Sequence, residues 1–421
     1  MTTADASRES ILRLNDALHA FVDVDAESAL RQSEAGSLCG WSIAIKDNFD
    51  IAGKIVGVGA PMFATRRATG SATAVQRLIA GGAQIVGRAQ MVELAFGGWG
   101  INAALGSPRN PWDGYTRRVA GGSSSGAAVA VAARMTRAAL GSDTAGSIRM
   151  PAALCGVTGL KTSFGLIPVD GVFPLAPSYD TVGPIARSAS DCATLFEALT
   201  QSTLASTSAT KRWRIRLLDP ADYPVQLEPD VQQALDQARA VFERLGSPSS
   251  KRTPPFALAD LTRDAGILIS SEAWSIHQER FENEPQAFGL DVRRRLEQAR
   301  TTDFAMVASA RRLRTETSQR FQDWLQEDEV LLLPTVHCTA PPLDAVSDRI
   351  PPLGQFTRWV NHVGGCALSL PAGLDRRGLP TSIQLVGRAG TESLLLRLGC
   401  AFQEATNWHQ IEPDLAWASA P

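Results

Sequence analysis

Serine and glycine cluster at three places that could support acyl chemistry. Gly122-Ser123-Ser124-Ser125-Gly126 is a formal G-x-S-x-G with Ser124 at its centre. A nucleophile elbow needs an apolar strand directly before it and an HGGG-type donor loop upstream. Tyr115-Thr116-Arg117-Arg118-Val119-Ala120-Gly121 is no such strand, and no HGGG element occurs. Ser208-Ala209-Thr210-Lys211 is a formal S-x-x-K, but it lies in a polar linker-like stretch without S-D-N or K-T-G companions. The third arrangement is distributed over Lys46, the Gly121–Gly126 loop, and Gly141-Ser142-Asp143-Thr144-Ala145-Gly146-Ser147-Ile148-Arg149. A serine hydroxyl is a poor nucleophile until a neighbour takes its proton. A second hydroxyl can relay that proton, because it both accepts and donates. A lysine can be the sink only when neutral, and apolar surroundings lower its pKa. Lys46 follows the apolar run Trp41–Ile45 and is one of only five lysines among 41 basic residues, so it stands out.

In this order and spacing the third set resembles the amidase signature family. The match continues through Gly156-Val157-Thr158-Gly159-Leu160-Lys161-Thr162-Ser163 and Asp180-Thr181-Val182-Gly183-Pro184-Ile185-Ala186-Arg187. Asn110-Pro111-Trp112 fits the family's Asn-Pro segment, and Gly378–Gly387 resembles its closing strand. The likeness is dense over 40–192, returns over 328–405, and is weak between. It implies a Ser–cis-Ser–Lys triad with Ser147 as nucleophile, Ser123 as bridge after a cis peptide, and Lys46 as base. It further implies an oxyanion hole from the backbone N–H groups of Thr144, Ala145, Gly146 and Ser147. Turns that lead into helices aim such donors at one point. Many relatives carry glycine where Ala145 stands, and a methyl fits there only if φ is negative.

Other polar residues receive plainer roles. Asp143 and Arg149 flank Ser147 and are expected to hold its loop by an ion pair. Ser124 and Ser125 are loop residues. Gly97, Gly98 and Trp99 occupy a stretch that shapes the acyl pocket in the family, although ordinary loop packing explains Trp99 equally well. Gln90 replaces an asparagine of many relatives and is expected at the pocket edge. The histidines at 19, 277, 337, 362 and 409 match no metal spacing, and His337 follows a strand end that could face the site. The six cysteines lie far apart, as expected for reduced buried thiols. No metal and no cofactor is called for.

The elements must bring these residues together. Residues 8–32 have helical apolar spacing, and 41–45 form a strand running into Lys46. A helix over 72–82 stops at Gly81-Gly82, a strand covers 84–87, and a short helix covers 91–96. Residues 97–126 read as a long functional loop. The small apolar run 127–133 is a tightly packed helix, followed by a strand near 137–141 and a helix from Ser147. Residues 200–211 are linker-like, and 229–246 and 287–325 are amphipathic helices. Strands at 330–333, 367–370 and 382–386 precede a closing helix at 392–405. This alternation predicts an α/β fold. The expected architecture is a single domain over 1–421, with a mixed, mostly parallel central sheet flanked by helices. Its parts are the signature core, a variable region over about 200–328, and the closing part.

Composition narrows the partners. A net charge of −2 argues against a nucleic-acid binder, which would want a basic face. No run approaches a membrane span, and the polar start is unlike a signal peptide, which predicts a cytoplasmic protein. The expected reaction is hydrolysis of a small-molecule carboxylic amide through an acyl-serine. The lead is a free-standing small amidase, because the stretch before Lys46 and the middle region are short. The alternative is the glutaminase (A) subunit of a glutamyl-tRNA amidotransferase complex. Relatives suggest a homodimer.

Overall fold

The computed structural model describes residues 3–24, 36–204 and 213–418. The Ser208–Lys211 motif, most of the linker, and the end of the helix expected over 8–32 lie outside the described residues.

One sheet of eleven strands forms the centre among the described residues. In chain order these are β1 (Phe21–Val24), β2 (Ser42–Lys46), β3 (Gln84–Ala89), β4 (Ala138–Asp143), β5 (Thr158–Lys161), β6 (Thr181–Ala186), β7 (Arg214–Leu217), β8 (Ser249–Lys251), β9 (Glu329–Pro334), β10 (Cys366–Leu374) and β11 (Pro380–Gly387). Their spatial order is β1-β3-β2-β4-β6-β5-β10-β11-β9-β7-β8. The helices are α1 (Thr3–Leu18), α2 (Thr73–Ala80), α3 (Ser125–Ala132), α4 (Arg149–Cys155), α5 (Ala189–Thr200), α6 (Pro229–Arg244), α7 (Leu258–Asn283), α8 (Leu290–Arg300), α9 (Phe304–Trp324), α10 (Arg358–His362) and α11 (Glu392–Thr406).

The sheet is mixed, as expected, but the balance of directions differs. Parallel neighbours are β2–β3, β2–β4, β7–β8 and β7–β9; the other six pairs are antiparallel. An antiparallel partner needs only a short turn, whereas a parallel one needs a crossover. The β10–β11 turn closes through Asp375 and Leu379, with Gly378 at φ +80°, so no crossover is spent there. The short strands β5 and β6 carry too few residues to reveal their direction by pattern.

Helix α1 stops earlier than its periodicity suggested. His19 takes φ +54°, and Phe21–Val24 then pair antiparallel with β3. Helix α7 is the longest element and was not foreseen; its apolar positions are spread around the helix rather than gathered on one stripe. Helix α3 matches the expected small, tightly packed helix. All eight of its residues are buried, and a Cβ at Gly126 would collide with the Ala20 carbonyl. Of the cysteines, Cys39 departs from expectation by being exposed. No helix of the described residues is long and apolar enough to cross a membrane.

The arrangement positions the site through β2 and β4. They are parallel neighbours with Ile45 opposite Leu140, so both end on the same side of the sheet. Ligand sites in open α/β sheets form beyond such strand ends. Lys46 ends β2, and the Asp143–Arg149 turn leaves β4 there.

Candidate active site

Lys46 is fully buried at the end of β2. Its Nζ lies 2.7 Å from Ser123 Oγ and 2.8 Å from Ser142 Oγ. Asn48 Nδ2 donates to the same Ser142 hydroxyl at 3.1 Å, fixing the group that faces the lysine. Asp47 points the other way, to Arg88 and to the N–H groups of Gly57 and Gly59, as alternation along a strand requires. Burial pulls the Lys46 ammonium down to about 7, while the Asp180 and Asp143 carboxylates push back upward. Among the described residues neither carboxylate forms an ion pair with it.

Ser123 follows a cis peptide from Gly122 and is fully buried. The loop is held on both sides: Gly122 N–H donates to the Gly98 carbonyl at 2.7 Å, and Val92 N–H donates to the Ser123 carbonyl at 3.2 Å. Gly100 must be glycine, since at φ +82° its Cβ would run into the Gly121 carbonyl. Gly97, Gly98 and Trp99 are thereby placed against the Ser123 loop and remain partly exposed. Trp99 packs on the cluster of Val119, Met150 and Val336. Ser124 N–H donates to the Ser147 carbonyl at 3.1 Å, joining this loop to the second one. The Ser124 hydroxyl donates to the Ser142 carbonyl and is shielded from solvent, which leaves no role for it as an exposed elbow serine.

Ser147 retains 4 % exposure, whereas Ser123 and Lys46 are fully buried. Its turn is built on Asp143. That carboxylate accepts from Gly146 N–H at 2.7 Å, Ile148 N–H at 3.2 Å, Arg149 Nε at 3.0 Å and Asn361 Nδ2 at 3.0 Å. Burial opposes its charge, but Arg149 and these donors outweigh it and hold Asp143 well below the usual carboxylate range. Arg149 and Asp143 are both fully buried, as the expected ion pair requires. Gly146 takes φ +121°, and a Cβ there would collide with Thr357 Oγ1. Ala145 has no positive φ, so its methyl fits, and its carbonyl accepts from Thr357 Oγ1 at 2.8 Å.

One expected donor is occupied. Gly146 N–H serves Asp143, because the turn aims it at a buried carboxylate. Among the described residues the N–H groups of Ala145 and Ser147 make no hydrogen bond. The Thr144 hydroxyl donates to Asp180, whose carboxyl is raised to about 6 by burial, against the pull of its hydrogen bonds and Lys46.

The chain matches the Amidase family over residues 6–396. It belongs to this family. Among curated relatives, the A subunit of the Gloeobacter violaceus glutamyl-tRNA(Gln) amidotransferase is 33% identical, over 96% of this chain and 93% of that protein. Its counterpart in Nitrosococcus oceani is 34% identical over 96% and 93%. Among solved structures, a chain from a vestigial protein complex that reveals the origins of an s-triazine catabolic enzyme has a TM-score of 0.88, with 28% identity and 96% of each chain covered. The corresponding amidotransferase chain of Thermotoga maritima has a TM-score of 0.80, with 28% identity, covering 95% of this chain and 90% of that one. The amidase described here is thus an enzyme of the class that hydrolyses carbon–nitrogen bonds other than peptide bonds.

Several residues of this amidase site were not singled out beforehand. Ser142, Asn48, Asp180, Thr357, Asn361 and Gln384 brace the lysine and the Ser147 turn. Ser142 and Asp180 lie inside the matched motifs and could have been noticed there; Asn361 and Gln384 arrive from β10–β11 neighbours more than 200 positions away. Gln90 does not edge the pocket. It is fully buried and ties down the 105–106 loop through the Leu105 and Gly106 carbonyls. The His337 carbonyl accepts from Glu228 N–H, and burial holds its ring down to about 4. Among the described residues, no group of three His, Cys, Asp or Glu side chains is placed to hold a metal.

Proposed function

We propose that this amidase cleaves a carboxamide through an acyl ester on Ser147, with Ser123 relaying the proton and Lys46 as base. The observation that carries this reading is the 2.7 Å contact between a buried lysine and the Ser123 hydroxyl. With Lys46 neutral, its lone pair accepts the Ser123 proton while Ser123 Oγ accepts the proton of Ser147. Ser147 Oγ attacks the carbonyl carbon, and the new oxyanion is met by the unoccupied N–H groups of Ala145 and Ser147. Collapse breaks the C–N bond, and the proton stored on Lys46 returns through Ser123 to the departing nitrogen. Water then repeats the sequence on the ester and releases the acid. Thr144, Gly146, Gly97, Gly98 and Trp99 shape the surroundings of that carbon.

Within this chemistry the glutaminase subunit of an amidotransferase becomes the leading reading, ahead of the free-standing enzyme expected from chain length. Both curated relatives described above are A subunits, aligned over 96% of this chain and 93% of their own length. Its partners would then include other protein subunits. A free-standing enzyme acting on a small amide is the second reading, favoured by the likeness to a solved amidase with a TM-score of 0.86 and 28% identity.

Ammonia release from glutamine and from a panel of small amides separates the two, measured with the chain alone and after co-purification of bound proteins. Glutamine turnover that depends on a tRNA-binding partner supports the first. Rapid turnover of a small amide by the chain alone supports the second. A serine-directed phosphonate is expected to label Ser147 in wild type and nothing in Ser147→Ala. Label on Ser124 would overturn the nucleophile assignment.

A further inference from the structure

The main chain around Ser123 is gripped by one short segment. Val92 N–H donates to the Ser123 carbonyl, and Gly122 N–H donates to the Gly98 carbonyl, so the two ends of residues 92–98 hold the pair that carries the relay hydroxyl. The fit is close, since a Cβ at Gly122 would lie 2.8 Å from Val92 Cγ2. Between its ends this bracket is strained. Leu94 and Ala95 take φ +52° and +57°, a left-handed conformation that residues with a Cβ adopt rarely. Such a turn persists only where its surroundings hold it.

Glu93, directly after Val92, ties the turn to a segment almost 200 positions away. Its carboxylate is buried, and both oxygens accept from the single N–H of Gly289, at 3.0 and 3.1 Å. Among the described residues no cation forms an ion pair with it. Burial pushes the carboxyl upward, the Gly289 N–H pulls it back, and Asp291 and Arg293 act on it with opposite signs. Gly289 immediately precedes α8 and has φ −61°, which any residue can adopt. Contact alone excludes a side chain there, because a Cβ would lie 2.3 Å from Glu93 Oε2. The neighbouring apolar groups follow the same path: Leu94, Ala95 and Phe96 share one cluster with Phe288, Val292 and Leu296. A buried carboxylate answered by one backbone N–H is destabilising by itself. Its place beside the Ser123 bracket gives it a use.

We propose that Glu93 is a positioning residue for the proton relay. By tying residues 92–98 to Gly289, it fixes the Ser123 hydroxyl against Lys46 and makes the α8 region part of the catalytic support. The inference rests on Ser123 being the relay.

The test uses the full chain, reading the rate at which a small phosphonate labels Ser147 and, where an amide is turned over, kcat and KM. Glu93→Ala should slow labelling and lower kcat by about 10–100-fold while KM moves less than about threefold. Glu93→Gln keeps an acceptor for the Gly289 N–H and should recover most of the rate. Gly289→Ala should reproduce the loss when Glu93 is present and add nothing to Glu93→Ala, since the atom that it strikes is gone. With Ser123→Ala as the starting protein, removing Glu93 should change the residual labelling by less than about twofold, because the group that it positions is absent. Should Glu93→Ala fail to fold, Gly289→Ala with and without Ser123→Ala makes the same comparison. A wild-type rate in Glu93→Ala, a loss confined to KM, or a loss as large in Ser123→Ala as in wild type would overturn the positioning role while Ser147 labelling stands. Absence of labelling at Ser147 in wild type would remove the catalytic reading and this inference with it.

Discussion

Replacing Lys46 by methionine tests both the chemistry and its energetic cost. The lysine falls from 10.5 in the open chain to about 7 when buried. That difference corresponds to about 5 kcal/mol by which the folded state disfavours the charged form. Below pH 7 both states hold the proton and the full cost is present. Between 7 and 10.5 the unfolded chain holds a proton that the folded chain has released, so wild-type stability should climb with pH across that window. The gain relative to Lys46→Met should be about 3 kcal/mol between pH 7 and pH 9.5, within about a factor of two. Methionine also leaves the Ser123 and Ser142 hydroxyls without their partner, which gives back about 1–3 kcal/mol each at every pH. The informative quantity is therefore the slope of the difference and not its sign at one pH. Urea unfolding of both proteins at several pH values measures it. In wild type, kcat/KM should rise about tenfold per unit up to the neighbourhood of pH 7 and then level off. Asp180 titrates close by, so the apparent value belongs to the coupled pair. Asp180→Asn removes the charge that props up the lysine, and the acidic limb should move to lower pH. Lys46→Met and Lys46→Arg should each lose at least about a thousandfold in rate, since neither can take a proton. A near-wild-type arginine variant, or a stability difference flat from pH 6 to pH 10, would refute the neutral-lysine argument.

Arg149→Met should destabilise the protein by about 3–5 kcal/mol, because it leaves Asp143 charged and buried without its partner; chemical unfolding reads this directly, and a loss below about 1 kcal/mol would show that Asn361 and the turn N–H groups suffice. Single replacements of His277, His337 and His362 by alanine should leave amide hydrolysis within about tenfold of wild type. Burial holds their rings down to about 4, 4 and 3, so none should contribute a kinetic ionisation near neutrality. A loss of several orders of magnitude from any one would point to a Ser-His mechanism.

The strands whose ends carry the site were legible because local pattern and chemistry coincide there. Trp41–Ile45 is apolar and β-branched enough to read as buried, and the lysine after it is conspicuous among so few. The Gly141–Arg149 turn was legible for a similar reason: glycine, aspartate and serine at a strand end have few other uses. The fold class followed from alternating strand and helix signals, but strand direction did not. Whether β5 and β6 run with or against β4 depends on which connection packs best, and a strand of four or six residues carries no mark of that. The same limit hid the bracing of the site. Asn361 and Gln384 reach Asp143 and Arg149 only because β10 and β11 pair beside β5, bringing α10 over the turn. Helix α7 escaped notice because a helix packed on several sides loses the single apolar stripe that announces it. Reactive residue types and local turns are written in short stretches of chain. Which distant groups shift their pKa or hold their turns is decided by packing.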